Sequence, residues 1–142
     1  DRGQALYVDR IGGERSVHTA SRAGGHLPLH TTGVGKVLLA WQSNEAIEKY
    51  LSRPLTRTTP YSIVDPVKLK TELMETKTRG YAVARQESTA GNGSVAVPIL
   101  RGGRCVAAVG VVAHLTHMDI PRLVEVLQQA ADSIRKELED DH

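Results

Sequence analysis

The run Cys105-Val106-Ala107-Ala108-Val109-Gly110-Val111-Val112-Ala113 follows the turn pair Gly102-Gly103 and carries no charged side chain. A strand with one wet face alternates apolar and polar residues; this one does not, so both of its faces must be covered. It is far too short to cross a bilayer as a helix. The chain must therefore build a sheet with apolar layers on two sides, and the remaining segments can be read for what supplies them.

One layer is visible downstream. Ile120, Leu123, Val124, Leu127, Ala131, Ile134 and Leu138 fall on a single face of a helix that starts after Asp119 and runs to Glu139. Arg122, Glu125, Gln128, Asp132 and Lys136 are left for solvent, the division expected of a helix lying on a sheet. Upstream, Tyr81-Ala82-Val83-Ala84 and Ser94 to Leu100 read as strands joined by a glycine-bearing loop from Ser88 to Gly93. Pro98 has no amide hydrogen to give a ladder, which predicts an edge strand or a bulge at that point.

The first half of the chain supplies the other layer. Asp65-Pro66 is an N-cap followed by proline at the first helical position; Leu69, Leu73 and Met74 mark an apolar face and Gly80 the stop. Ser43 caps a shorter helix that buries Ala46, Ile47, Tyr50 and Leu51 and ends by Pro54. Before it, Leu27 to Lys36 passes from an extended stretch into Val34, Val37, Leu38 and Trp41 at helical spacing, predicting an amphipathic helix. Thr56 to Ile63, with Pro60, is a surface connection. Ala5 to Asp9 and Ser16 to Ala20, parted by Gly12-Gly13, read as an antiparallel hairpin. The order is β-β-α-α-α-β-β-β-α, an α+β fold with an antiparallel sheet and helices on its faces.

With 142 residues there is room for one domain, which buries roughly two-thirds of its unfolded surface. The net charge of +2 is spread along the chain rather than gathered on a basic face, so this segment alone is not expected to grip nucleic acid. Cys105, the one cysteine, forbids an internal disulfide and reads as a buried inert thiol in a reducing cytosol. Asp1-Arg2-Gly3-Gln4 leads straight into a strand, with no signal segment, as at a boundary inside a longer protein.

Catalytic templates find little support. His26 and His30 are separated by Pro28, which forbids the helical geometry that would align them on a metal. His114 and His117 flank a loop but lack the third and fourth ligands of a zinc site. No serine is framed as G-x-S-x-G, and Gly33-Val34-Gly35-Lys36 lacks the glycine spacing and following hydroxyl of a phosphate loop. Two features stay open. The backbone amides at Gly33-Val34-Gly35 open a helix, where the dipole favours an anion, yet the same glycines could serve close packing with Thr32 as a plain cap. Arg85-Gln86-Glu87-Ser88 could line a pocket mouth, although a solvated strand edge is the preferred reading.

Three blocks together resemble the effector-binding domain of the IclR family of transcription regulators: Leu27 to Ala40; Thr78-Arg79-Gly80-Tyr81-Ala82 with Glu87 and Gly91; and Val95 to Ile99 followed by Val106 to Val109. The resemblance covers nearly the whole chain and implies a GAF-like fold, residues 1–142 being the effector domain, with a winged helix-turn-helix domain preceding Asp1. Carried over by position, the ligand pocket is lined by Leu27, Gly33, Val34, Ala84, Ser94, Gly110 and Val112, with Ser16 aligned less securely. Relatives that sense small keto acids carry an aspartate at the position of Ala84 and serines at those of Gly110 and Val112, so this pocket should be more apolar. The implied partners are a small organic acid, operator DNA through the missing domain, and further copies of the chain in a dimer or tetramer, in the cytoplasm. No cofactor, metal or membrane is implied. Competing readings are a dimerisation module whose pocket is filled by its own side chains, distinguishable by the lack of a cavity near Gly33, and an enzyme using Glu87 as a base beside His30 or Arg85.

Overall fold

Three strands form the main sheet of the computed structural model, which describes residues 5–7, 18–20 and 28–140. β3 (Ala82–Arg85), β4 (Asn92–Arg101) and β5 (Arg104–His114) are antiparallel in the order β3-β4-β5. β1 (Ala5–Tyr7) pairs with β2 (His18–Ala20) as an antiparallel ribbon in register Leu6↔Thr19, and β1 lies against β5. The expected Gly12-Gly13 turn between them falls outside the described residues.

Alternation sorts the strand residues into two cores. Val83, Val95, Val97, Ile99, Val109 and Val111 point to one face, where α4 (Ile120–Asp140) covers them with Leu123, Leu127 and Ala131. Ala82, Ala96 and Ala108 point to the other, under Val34, Val37 and Leu38 of α1 (Gly33–Ala40). Behind α1, its Leu39 and Ala40 meet Leu51 of α2 (Asn44–Leu51) and Leu69 and Leu73 of α3 (Pro66–Arg79). The molecule is thus α4, sheet, α1, then the α2 and α3 pair. Both faces of the sheet are covered, as the apolar run requires.

Caps form where the sequence places them. Ser43 accepts from the Ala46 amide, Asp65 accepts from Val67, and Gly80 closes α3 at φ 91°. Three expectations are corrected. Helix α1 is not amphipathic: each of its residues is buried, because the sheet holds one side and α2 and α3 the other. Met74 is 62% exposed, and Thr76 instead completes the buried stripe with Leu69 and Leu73, because four and seven residues on from Leu69 is the same face and five is not. β4 is the middle strand of the three, and along β5 burial does not run the length of the apolar stretch but is concentrated from Ala108 to Val111, while Val106 is 43% exposed. The β4–β5 hairpin runs past the helices there, closing on Arg101↔Arg104 through Gly102 and Gly103, both at positive φ.

Pro98, in turn, sits in that middle strand. Pairing with β3 starts only at Ala82↔Ala96, so from Val97 onward β4 has its one recorded neighbour in β5, and a register shift follows at Ile99/Leu100. Locally the proline occupies an edge beside a bulge, which is why the missing amide is tolerated.

Candidate functional site

The face of the sheet under α1 is built from small side chains, and that lets the helix start come very close. A Cβ on Gly33 would lie 3.1 Å from Ser94 Oγ and 3.3 Å from Ala96 Cβ; one on Gly110 would lie 2.9 Å from Val34 Cγ1 and 2.8 Å from the Val95 carbonyl. Gly33 N–H donates to Ser94 Oγ at 2.9 Å, and Gly35 N–H to the cap Thr32 Oγ1 at 2.9 Å. The idea of bare amides at this terminus is corrected accordingly: two of its first three are already satisfied within the protein.

Beside this contact the sheet and helix diverge, leaving a small open pocket of about 90 Å³. Thr31 and Thr32 form the helix side, Ala84, Ser94 and Val112 the sheet floor, and Glu87, Ser88 and Thr89 of the β3–β4 loop, with Asn92 and Gly93 at the start of β4, the remaining side. Of the positions singled out by sequence, the structure brings Ala84, Ser94 and Val112 together on this wall. It places Gly33, Val34 and Gly110 in the close packing next to it, Val34 being fully buried. Leu27 and Ser16 lie outside the described residues.

Polar capacity in the pocket is unspent. The hydroxyls of Thr32 and Ser94 accept from backbone amides, and neither is recorded donating its own hydrogen among the described residues. Both hydroxyls can therefore donate to a ligand oxygen.

Glu87 was the residue whose environment the sequence concealed. It is no solvated edge: Glu87 is 7% exposed and its Oε2 receives a 2.8 Å bond from Lys36 Nζ, itself fully buried. Arg85, two residues earlier, is exposed. The chain reverses between them at Gln86, which takes a left-handed φ of 58°, a conformation costing a residue with a Cβ about 1–2 kcal/mol. That turn is held by Gln86 N–H to the Asn92 carbonyl, Gly91 N–H to Gln86 Oε1, and Thr59 Oγ1 to the Gln86 carbonyl. Lys36 also reaches the Val83 carbonyl at 3.3 Å and Glu72 at 3.5 Å, and Glu72 in turn meets Arg79. Two cations thus balance two carboxylates. Burial pushes the Glu87 carboxyl up while the Lys36 ammonium pulls it back down. The second oxygen, Oε1, is sealed from solvent with no hydrogen-bond partner.

Thr31, on the helix side, is positioned by the 3-10 turn Leu29–Thr31 and by Ser88, whose hydroxyl bonds the Thr31 carbonyl at 2.7 Å. His30 in the same turn is 2% exposed, with Nδ1 2.8 Å from Tyr50 Oη and Nε2 2.8 Å from the Thr56 carbonyl. Because a carbonyl only accepts, Nε2 carries the hydrogen and Nδ1 accepts from the tyrosine, a neutral tautomer. Desolvation, helped by the Lys36 charge, holds its pKa below the usual 6.5. The unfolded chain therefore takes up this proton first as the pH drops, and folding loses stability on descending through 6.5 toward the lower native value, with none lost above it. Urea midpoints measured from pH 8 to pH 5 should fall in that interval for the wild type, and the fall should be smaller in His30→Asn.

The remaining candidates do not line the pocket, although His114 pairs across the sheet with Asn92 at its edge. His114 and His117 stack edge to face at 6.4 Å, and no cluster of three metal-ligating side chains occurs among the described residues. Cys105 is half-buried, with burial raising its thiol pKa, so it is a poor thiolate. No helix among the described residues is long and apolar enough to cross a membrane.

The family model for the bacterial transcriptional regulator IclR C-terminal region matches residues 1–136. HTH-type transcriptional regulator XynR of Escherichia coli K12 is 32% identical over 97% of this chain, which spans only 57% of XynR. Two solved structures align at a TM-score of 0.80: the IclR of Thermotoga maritima, at 33% identity over 97% of this chain and 58% of that one, and an IclR homolog of Microbacterium hydrocarbonoxydans in complex with 4-hydroxybenzoate, at 30% identity over 98% and 62%. Sequence and overall fold agree, and the chain belongs to the IclR family of transcriptional regulators, as the C-terminal domain of that family.

Proposed function

We propose that this domain senses a small carboxylate-bearing metabolite and passes its presence to a DNA-binding domain preceding Asp1 in the whole regulator. The observation that carries the reading is the pocket at the start of α1, with apolar Ala84 and Val112 beside the hydroxyls of Thr32 and Ser94. Two hydroxyl donors can hold a carboxylate while the methyl groups enclose an apolar body. A solved relative of the same fold was crystallised with 4-hydroxybenzoate, a ligand of that description. A dimerisation module with a filled pocket fits less well, since the space is open. An enzyme using Glu87 fits less well too, because Lys36 occupies one of its oxygens and His30 is committed to Tyr50 and Thr56.

Switching follows if ligand binding favours one of two arrangements of paired chains, in a dimer or tetramer in the cytoplasm, and so resets the spacing of the DNA-reading domains. A ligand with equal affinity for both arrangements would change nothing. Thermal-shift screening of organic acids, followed by operator binding of the full-length regulator with and without each hit, tests this. At a hundred times its Kd a true ligand adds about 2.7 kcal/mol of stability. A tight ligand that leaves operator affinity unaltered overturns the switch. Val112→Phe, which pushes a ring into the pocket from β5, should abolish that ligand-induced shift while its own melting temperature stays within a few degrees of wild type.

A further inference from the structure

Inside the proposed pocket one group is left without a partner by everything around it. Glu87 is a lining residue, more than nine-tenths buried; Lys36 takes Oε2, and Oε1 has neither a protein donor nor access to water. A buried acceptor in that condition carries the full desolvation penalty of a charged oxygen. It is acceptor-only while ionised, so a ligand can relieve it solely by donating a hydrogen. We infer that the pocket selects ligands presenting a hydroxyl to Glu87 Oε1, so that among small organic acids it takes hydroxylated molecules over their deoxy counterparts.

This rests on the effector reading above and narrows it. The pocket offers two unlike ends: hydroxyl donors on Thr32 and Ser94 suit the carboxylate, and the orphan oxygen suits a donor. Ala84 and Val112 between them offer no hydrogen bond to the ligand body, so the donor end is where hydroxylated and deoxy molecules are told apart. A second carboxylate at that end would face like charge across a water-poor wall and be rejected. An ether in place of the hydroxyl would bring only another acceptor. Because Oε1 is closed off from solvent, the side chains covering it must shift for a ligand to reach it, which adds a conformational consequence to binding.

Titration calorimetry on the wild-type domain with matched sets tests the inference: aromatic and aliphatic hydroxy acids, the same acids without the hydroxyl, and their methyl ethers. Hydrogen bonds to a charged partner correspond to about 10- to 100-fold in affinity, so the hydroxylated member of the binding set should be favoured by that much over both analogues. The Glu87 side-chain carboxyl carbon, followed by NMR, should move with the hydroxylated ligand and stay put with the deoxy one. In Glu87→Gln, if it folds, the preference should shrink to a few-fold. Equal binding of hydroxylated and deoxy members, or a preference with no response at Glu87, overturns this inference and leaves the effector reading standing. Binding by no member of any set overturns both.

Discussion

Replacing Lys36 with methionine should lower stability by about 3–5 kcal/mol, the cost of stranding a buried charge whose partner has been removed. For a chain of this size that corresponds to a fall of roughly 10 °C or more in melting temperature. The reason is the arrangement behind the pocket: a fully buried ammonium 2.8 Å from a carboxylate that is itself nearly buried, with a second carboxylate at 3.5 Å and a backbone carbonyl at 3.3 Å. With Lys36 gone, the chief opposition to the desolvation that already raises the Glu87 pKa is lost. The native state then holds its proton to higher pH than the unfolded chain does, so the loss should be smaller at pH 5 than at pH 8. Lys36→Met combined with Glu87→Leu should recover most of the stability, since an apolar pair of similar volume replaces a buried ion pair at little net cost. Urea denaturation of the wild type and the two variants decides it; a loss under 1 kcal/mol in Lys36→Met would mean the pair is not held as described.

Gly35→Ala should be nearly as damaging, although helix propensity alone points the other way. Alanine in a helix interior is favoured over glycine by about 1 kcal/mol. Here, however, the new Cβ would sit 2.6 Å from Leu29 Cα and closer still to the Leu29 carbonyl oxygen, backbone atoms that cannot rotate aside. Leu29 belongs to the 3-10 turn whose next two residues are fixed by His30 to Tyr50 and by Thr31 to the Pro28 carbonyl. Overpacking against a pinned backbone costs about 3 kcal/mol or more, so the steric effect prevails. Gly80→Ala is a useful contrast: its Cβ would meet nothing within 4 Å, and only the φ of 91° resists it, a cost of about 1 kcal/mol. Thermal melts should rank Gly35→Ala well below Gly80→Ala; the reverse order would refute the packing account.

The parts of the fold that were legible beforehand are those fixed by local chemistry. Asp65-Pro66 and Gly80 bound α3 because a cap, a fixed φ and a left-handed stop act within a few residues. The stripe from Ile120 to Leu138 marks α4 because one side of it meets the sheet. Lys36 was different. A lysine at a helical position ordinarily faces water, and the partner that neutralises it stands on a loop 51 residues later, a pairing no local pattern reveals. Glu87 looked like a solvated edge for a related reason: alternation fails at Gln86, whose left-handed turn is imposed by Asn92, Gly91 and Thr59 rather than by its own preference. The pocket itself was half legible. Ala84, Ser94 and Val112 came from positional resemblance, whereas Thr31, Thr32, the loop after β3 and the first residues of β4 complete it through contacts between distant segments. The signal that could have found them was Glu87 itself, an acid directly after a strand and beside a glycine-bearing loop.

The flank of β3 has a bearing on how copies of this chain can meet. Its Val83 carbonyl is engaged by Lys36, and the Gln86 and Glu87 carbonyls that follow are taken by the hydroxyls of Thr59 and Ser62. Farther along, where β4 would otherwise offer its own margin, Pro98 withholds an amide and the ladder slips out of register. A neighbouring molecule arriving as an extended strand finds few open hooks on that side. Continuous sheets spanning several subunits are thereby discouraged along this border, so a neighbour meeting it would have to rely on side-chain contacts, which do not propagate into a fibre.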